Sequence, residues 1–459
     1  MKTELHYYDI FPKVFPAGKE MTITIKPLGY HAEFENPDEL TLKIFGLDDG
    51  NPRDYPHRGN GYEIPFVMDG NCVKITHTFP REQQYYIRFF DKNTNKKLLE
   101  LSVYALDEDL CGRYPFMGDL HMHTCCSDGK QSPAIVCANY RKHGYDFFAI
   151  TDHHRYWPSL EAIEVYKDVP IEFNIVPGEE VHLPDLAPDH INDVHIVNFG
   201  GKYSVNAIIK EEEYINEYGN DIDKRRFEGF PCPEQLDEDG YRAEVDALAK
   251  TLDIPEGIEP FTYASCVWVF NHIRNAEGLG IFCHPYWLSN VHQVPENITD
   301  YMLKTHPFDA FEVLGGENYY EHNGFQTHKY YEVLAKGYEK FPIVGSTDSH
   351  SSINNENAYV AATIVFSPEN EREAIIDSVK KFYSIAIDGI SKEFRLVGDF
   401  RLARYANFLL KEYFPLHDDL CYEEGRAMKD YACGVEGGKE TLEFISGRIK
   451  KQREKYFAF

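Results

Sequence analysis

The sequence predicts an α/β chain built around a parallel sheet or barrel, with an antiparallel β-sandwich before it and helices after it. Three observations predict this. Residues 1–112 alternate apolar and polar positions in short β-branched runs, residues from 116 onward repeat a short apolar strand followed by a helical stretch, and residues 401–459 carry helical periodicity alone. At 459 residues the chain exceeds one ordinary core. The expected domains are 1–112, 113–400 and 401–459.

In the first domain the expected strands are "MTITIK", "ELTLKIFGL", "NCVKITHTF", "QYYIRFF" and "KLLELSVYAL", the last two separated by the turn-forming "DKNTNK". Titratable residues do not cluster there. The sandwich is therefore expected to be a packing or oligomerisation module, which would make the protein a homo-oligomer; carbohydrate binding is the sharper alternative.

The second domain begins with "FMGDLHMH" and the helix "SPAIVCANYRKHG", followed by "YDFFAIT", "FNIVPGEEV" and "DVHIVNFG". Later come "VFNHIRNAEGLG" leading into "IFCHP", then "PFDAFEVLG" and "KFPIVGSTDSH". In folds of this rhythm, ligands gather at the C-terminal ends of the strands. An acidic, proline-spotted stretch, 204–262, interrupts the rhythm and is expected as a partly helical insertion, either a solvated decoration or a cap over the site.

Composition narrows the function. The chain carries 75 acidic against 47 basic side chains, a formal charge of -28, which disfavours extended nucleic acid as a partner. Ten cysteines without a CxxC pair argue for reduced thiols. There is no apolar leader at the N-terminus and no run near the ~18 apolar residues a membrane span needs, so the expectation is a soluble, cytoplasmic protein.

The strand ends carry the chemistry. The first supplies His121 and His123 with Asp128 downstream, and "TDHH" supplies Asp152, His153 and His154. "PGEEV" supplies Glu179 and Glu180, "DVHIV" supplies His195, "CHP" supplies His284, and "TDSH" supplies Asp348 and His350. Imidazoles mixed with carboxylates suit zinc, manganese or iron better than calcium or magnesium. Each residue alone has a plain explanation as a hydrogen-bonded strand end; six such strand ends in series do not.

In this order, HxH with a following Asp, TDH, GxE, a lone strand His, His-Pro and a closing DxH, the motifs over about residues 116–390 resemble the PHP (polymerase and histidinol phosphatase) superfamily of metal-dependent phosphoesterases. The resemblance implies a distorted (β/α)7 barrel and a site for three divalent ions, Mn, Fe or Zn. His121, His123 and Asp348 would hold the first, Glu180 would bridge to a second completed by His195 and His284, and Asp128, His153 and His350 would hold the third. The GxE spacing aligns the bridge with Glu180, and Glu179, in the variable position, is the alternative. Cys125 and Cys126 are expected to be bystanders, although thiolate binds zinc, and Cys283 should alternate away from the site.

Such a centre would hydrolyse a small-molecule phosphomonoester through a metal-bridging hydroxide attacking phosphorus in line, with the third cation neutralising phosphate oxygens. The alternatives are a nucleotide or oligonucleotide phosphodiesterase, amide or cyclic-amide hydrolysis at the same site, and, from another class, a binding protein stapled by metals. His154 is the candidate general acid and Arg155 or Lys130 the candidate phosphate contact, each with solvated surface as its plain alternative. Asp119 and Asp152 are candidates for orienting ligand histidines or for capping backbone. His182, His190 and His322 are expected at the surface or in support.

Overall fold

The structure, a computed structural model, describes residues 7–50, 61–184, 192–209, 233–317, 319–353, 359–390 and 395–459. The chain divides into two compact units: Met1–Tyr114 with Arg404–His417 and Gly447–Phe459, and Pro115–Ala403 with Asp418–Ser446.

In the first unit, alternation builds two sheets. Gln83–Asp91 and Glu20–Pro27 bury every second side chain over much of their length, the period of a strand with one covered face. One sheet has the antiparallel order Tyr8–Phe11, Glu20–Pro27, Cys72–Thr78, Val67–Asp69. The other runs Val14–Pro16, Lys97–Leu106, Gln83–Asp91, Leu40–Gly46, Tyr62–Glu63, antiparallel except for the first pair. Ile23, Ile25, Val73 and Ile75 from the first sheet share a single apolar cluster with Leu42, Ile44, Ile87 and Val103 from the second.

The second unit is α/β. Asn174–Val176, Phe147–Ala149 and Tyr114–Asp119 run parallel and continue into Ala361–Ser367, Ser384–Asp388 and Arg395–Val397, whose mutual pairings are antiparallel. A second sheet has the order Gly178–His182, His195–Phe199, Leu279–Phe282, Ala310–Leu314, Ile343–Gly345, antiparallel over its first three strands and parallel over its last three. Among the described residues the strands form these two sheets, with no closed ring. The continuous β-then-α rhythm breaks at Pro177. A single residue between Asn174–Val176 and Gly178–His182 leaves no room for the crossover that a parallel neighbour requires, so the chain passes from one sheet to the other.

Backbone hydrogen bonds lace the strand-end segments together. His123 N donates to Ser349 O at 2.9 Å, Asp348 N to His121 O at 2.9 Å, Thr151 N to Met122 O at 2.9 Å and His154 N to Glu180 O at 3.0 Å. Segments far apart in sequence are thereby fixed at one rim.

Of the expected insertion, residues 210–232 lie outside the described residues, as does His190. The described remainder includes Glu238–Ala249, capped by Asp237, whose side chain accepts from Gly240 N at 2.8 Å. Its buried Tyr241 and Val245 join the apolar core that also holds Trp268 and Phe270 of the helix Pro260–Asn275. The helix Glu238–Ala249 packs on that core through those two buried side chains. The C-terminal helices Phe400–Glu412, Phe414–Ala432, Gly438–Ile445 and Arg448–Tyr456 are shared between the two units instead of forming an extension of their own. Among the described residues no helix is long and apolar enough to cross a membrane.

Candidate metal centre

The strand Tyr114–Asp119 delivers the "HMH" segment to the rim. Alternation sends the buried Met122 to the opposite side from its two neighbours, and the His121 and His123 Nε2 atoms stand 3.3 Å apart. Asp348 Oδ1 lies 3.3 Å from His121 Nε2 and 2.9 Å from His123 Nε2. The chain then turns tightly, Gly129 N donating to Thr124 O at 2.8 Å; a Cβ on Gly129 would stand 2.6 Å from His123 O, so the turn accepts only glycine. Beyond it, Asp128 Oδ2 meets His153 Nε2 at 3.4 Å and His350 Nε2 at 3.2 Å. Both rings lie against His123, with centroids 4.3 and 4.4 Å away.

Glu180 stands at the centre. Its Oε1 is 2.8 Å from His195 Nδ1 and 3.2 Å from His284 Nε2, and its Oε2 is 3.5 Å from both His121 Nε2 and His123 Nε2. Glu179 projects from the opposite face of the same strand and accepts from Ser204 Oγ at 2.6 Å, Asn198 Nδ2 at 2.8 Å, Val205 N at 2.6 Å and Asn206 N at 3.4 Å. Of the two glutamates of "GEE", Glu180 is thus the one that faces the histidines. All nine residues named as metal ligands come together: His121, His123 and Asp348 form one donor group, Asp128, His153 and His350 form another with His123, and His195 and His284 flank the shared Glu180. They meet at a cavity of about 240 Å³, lined by Asp128, His153, His195, His284, Asp348 and His350 together with Trp287, Gln293 and Glu317.

The backbone is held in unfavourable conformations here. His284, Asp348, Glu317 and His154 all have positive φ, at 21°, 52°, 64° and 59°, a region that costs a non-glycine residue free energy and that concentrates at functional sites. The kink at His284 also corrects the expectation for Cys283. The strand ends at Phe282, alternation lapses, and the Cys283 thiol turns inward, 3.1 Å from His195 O and 4.0 Å from Glu180 Oε1. Cys125 and Cys126 take no part in the donor groups found among the described residues.

Asp119 and Asp152 take the capping alternative. Asp119 and Asp152 hold backbone and hydroxyls: Asp119 accepts from His121 N at 3.2 Å and Thr347 Oγ1 at 2.6 Å, and Asp152 from Thr124 N at 2.8 Å and Ser127 Oγ at 2.5 Å. The ring of His121 is instead fixed by Glu312, whose Oε1 lies 3.0 Å from Nδ1, and that of His284 by Gln293 Oε1 at 2.7 Å from Nδ1. Sequence reasoning missed Glu312. Its signal was a lone carboxylate inside the apolar run "AFEVL", every residue of which is buried. His182, on the Glu180 face, stacks on His195 with centroids 3.7 Å apart. His322 is buried beside Tyr319. His154, proposed as general acid, turns toward Asn206, 3.3 Å from Nδ1, because its left-handed backbone redirects the ring. Neither His154, Arg155 nor Lys130 lines the cavity.

Charge follows the geometry. Burial alone would raise the Glu180 carboxyl, but His195, His153 and His121 outweigh it and hold the group well below the usual carboxylate range. Asp348 and Asp128 are likewise held low against burial, by His121 with His284 and by His153 with His350. Burial, with His153 and His350 adjacent, pushes His123 down to about 3, and burial pushes His195 down to about 4. The same carboxylates outweigh burial at His121 and His284, which are raised, and at His153 and His350, which are pushed up to about 10 and about 11, so a divalent cation would bind among ionised carboxylates by displacing protons from these rings. Two buried atoms make no hydrogen bond, Glu180 Oε2 and His195 Nδ1; the latter, though 2.8 Å from Glu180 Oε1, is not aligned as one. Orphaned donors converging on a common space fit a bound cation, and this donor set fits Zn, Mn or Fe.

No family model matches the chain. It is 29% identical over 134 residues to the DNA polymerase/3'-5' exonuclease PolX of Bacillus subtilis, a match covering 26% of this chain and 24% of that protein; the chain thus spans about a quarter of the length of this curated relative. Among solved structures, it matches a two-domain protein from Bacteroides vulgatus containing a predicted PHP-like metal-dependent phosphoesterase, at 16% identity and a TM-score of 0.38, over 60% of this chain and 65% of that one. A protein from Bifidobacterium adolescentis assigned as a metal-dependent phosphoesterase matches at 17% identity and a TM-score of 0.33, over 58% of this chain and 94% of that one. With its motifs in order and their side chains gathered about Glu180, the chain resembles the PHP superfamily of metal-dependent phosphoesterases.

Proposed function

We propose that the protein is a metal-dependent hydrolase that cleaves a small-molecule phosphomonoester. The observation that carries the reading is the clustering of the candidate ligand histidines and aspartates around Glu180, beside a cavity that six of them line. His121, His123 and Asp348 would hold one cation, Glu180, His195 and His284 a second, and Asp128, His153 and His350 a third, with Mn, Fe or Zn as the candidates. When bound, such cations acidify a shared water and neutralise phosphate oxygens. The chain's own residues set the remaining terms. Glu312 and Gln293 fix the His121 and His284 rings, and Trp287 and Glu317 form the rest of the wall against which a leaving group would lie. Among the described residues that line the cavity there is no lysine or arginine, so on this reading the phosphate would depend on cations for its neutralisation. On the same reading the two sheets of the second unit correspond to a distorted, opened seven-unit barrel, the two of the first to a sandwich, and the protein works in the cytoplasm on a small phosphorylated substrate.

A nucleotide or oligonucleotide phosphodiesterase is the second reading, favoured by the local identity to an exonuclease-bearing polymerase and opposed by the formal charge of -28. The deciding experiment is metal analysis of protein purified without chelator, together with a phosphomonoester and phosphodiester panel on wild type and His121→Ala. About three equivalents of metal, with monoester turnover abolished by the substitution, is the expected result. Turnover confined to diesters would install the second reading, and well-folded protein devoid of metal would end both.

A further inference from the structure

His182 belongs to none of the motifs that identify the centre, yet it is built into it. It lies two residues beyond Glu180 on the strand Gly178–His182, hence on the same face. The antiparallel ladder pairs it directly with His195, against whose ring it stacks at 3.7 Å and 22°. Its Nε2 lies 2.7 Å from His153 Nδ1, in hydrogen-bonding geometry. The other nitrogen of His153, Nε2, faces Asp128 at 3.4 Å.

These contacts define a division of labour within His153. An imidazole can offer a lone pair to a cation through one nitrogen only when the proton resides on the other, and the partner of that second nitrogen decides the matter. Two groups are near His153 Nδ1. Glu180 Oε2 is 2.7 Å away but makes no hydrogen bond, and its lone pairs point into the cluster shared with His121 and His123. His182 Nε2 is aligned. His153, Glu180, His182 and His195 bring one ligand atom each within 4.8 Å of one another, but the near-parallel stacking of His182 on His195 argues against both rings reaching one cation together, because each lone pair lies in its own ring plane. We infer that His182 is a positioning residue: its Nε2 accepts the Nδ1 proton of His153, which presents His153 Nε2 to the cation shared with Asp128 and His350.

This inference rests on the metal-centre reading above, and its test reads metal binding instead of turnover. Cation affinity and stoichiometry would be measured by chelator competition on full-length wild type, His153→Ala, His182→Leu and His182→Gln, with thermal unfolding alongside. The expected result is that His182→Leu weakens the same cation that His153→Ala removes, by about 10–100-fold, while the remaining cations stay bound. His182→Gln, whose amide oxygen can accept the proton, should return the affinity to within a few-fold of wild type. Leu and Gln variants that both bind like wild type would overturn the inference. So would a Leu variant that loses all cations together, or a Gln variant as impaired as Leu, since a merely space-filling His182 would give such results. Wild type that takes up cations but hydrolyses no phosphoester would overturn the functional reading and leave this inference standing; wild type that takes up none would overturn both.

Discussion

The two faces of the strand Gly178–His182 carry two adjacent, fully buried glutamates with opposite fates. On one face, Glu179 is enclosed by four donors contributed by Ser204, Asn198, Val205 and Asn206; the fold itself supplies everything this group needs. On the other, Glu180 is ringed by histidines, and one of its oxygens has no hydrogen bond at all. The histidines offset the cost of burying its charge, and the same ring nitrogens and carboxylate oxygens could instead be shared with a cation. The contrast separates a carboxylate that serves the fold from one reserved for a ligand, one residue apart.

Substitutions can break that contrast, and the largest effect belongs to Glu180→Gln. It keeps the shape and removes the charge that three donor groups share, so turnover should fall by about a thousandfold or more and cations should be lost from metal analysis, with cooperative unfolding preserved. A variant that instead kept its cations and merely unfolded more easily would put Glu180 in the same class as Glu179. Next comes Glu179→Ala, which strands four buried donors and should cost about 3 kcal/mol or more in denaturant unfolding, while the folded fraction binds cations as before. Lost cation binding with unchanged stability would reverse the assignment of the two faces.

Glu312 sharpens the comparison from a distance. Its Oε1 fixes the His121 ring and its Oε2 accepts from His284 N at 3.1 Å, so it is a carboxylate satisfied by the fold whose partners are themselves ligands. Glu312→Gln should weaken cation affinity by about 10–100-fold in chelator competition, without abolishing the binding. An effect on unfolding alone would make it a structural group of the Glu179 kind.

The candidate ligands were legible in the sequence because each sits in a short local motif at a strand end, and the order of motifs survives whatever the sheets do. The same locality explains what was missed. Glu312 and Gln293 act through partners set by tertiary packing, and no local spacing announces them, whereas His182 was expected only at the surface or in support. Sheet organisation was legible only as α/β, since the switch between sheets at Pro177 depends on a one-residue connection inside an apolar stretch. Cys283 was misjudged because alternation predicts side-chain direction only while the backbone stays extended, and the strand ends at Phe282, ahead of the left-handed His284.

Cys283 carries the smallest effect and the sharpest remaining distinction. Turned inward by the kink at His284, its sulfur lies close enough to His121, Glu180 and His284 for all four to share a cation. It nevertheless has a partner within the fold: the thiol donates to His195 O at 3.1 Å, and burial pushes its ionisation far above the ordinary thiol range. A neutral thiol engaged with a carbonyl is a neighbour of the centre, as Glu179 is, and not one of the orphaned groups around Glu180. Cys283→Ala should therefore cost about 1 kcal/mol of stability and change cation affinity by less than about threefold. Substitution with cobalt distinguishes the two cases directly, because a thiolate ligand produces an intense sulfur-to-metal absorption band that imidazole and carboxylate do not. The band should be absent from wild type; if it is present and disappears in Cys283→Ala, sulfur is a ligand, and the centre is softer, and more selective for zinc or iron over manganese, than its oxygen and nitrogen donors imply.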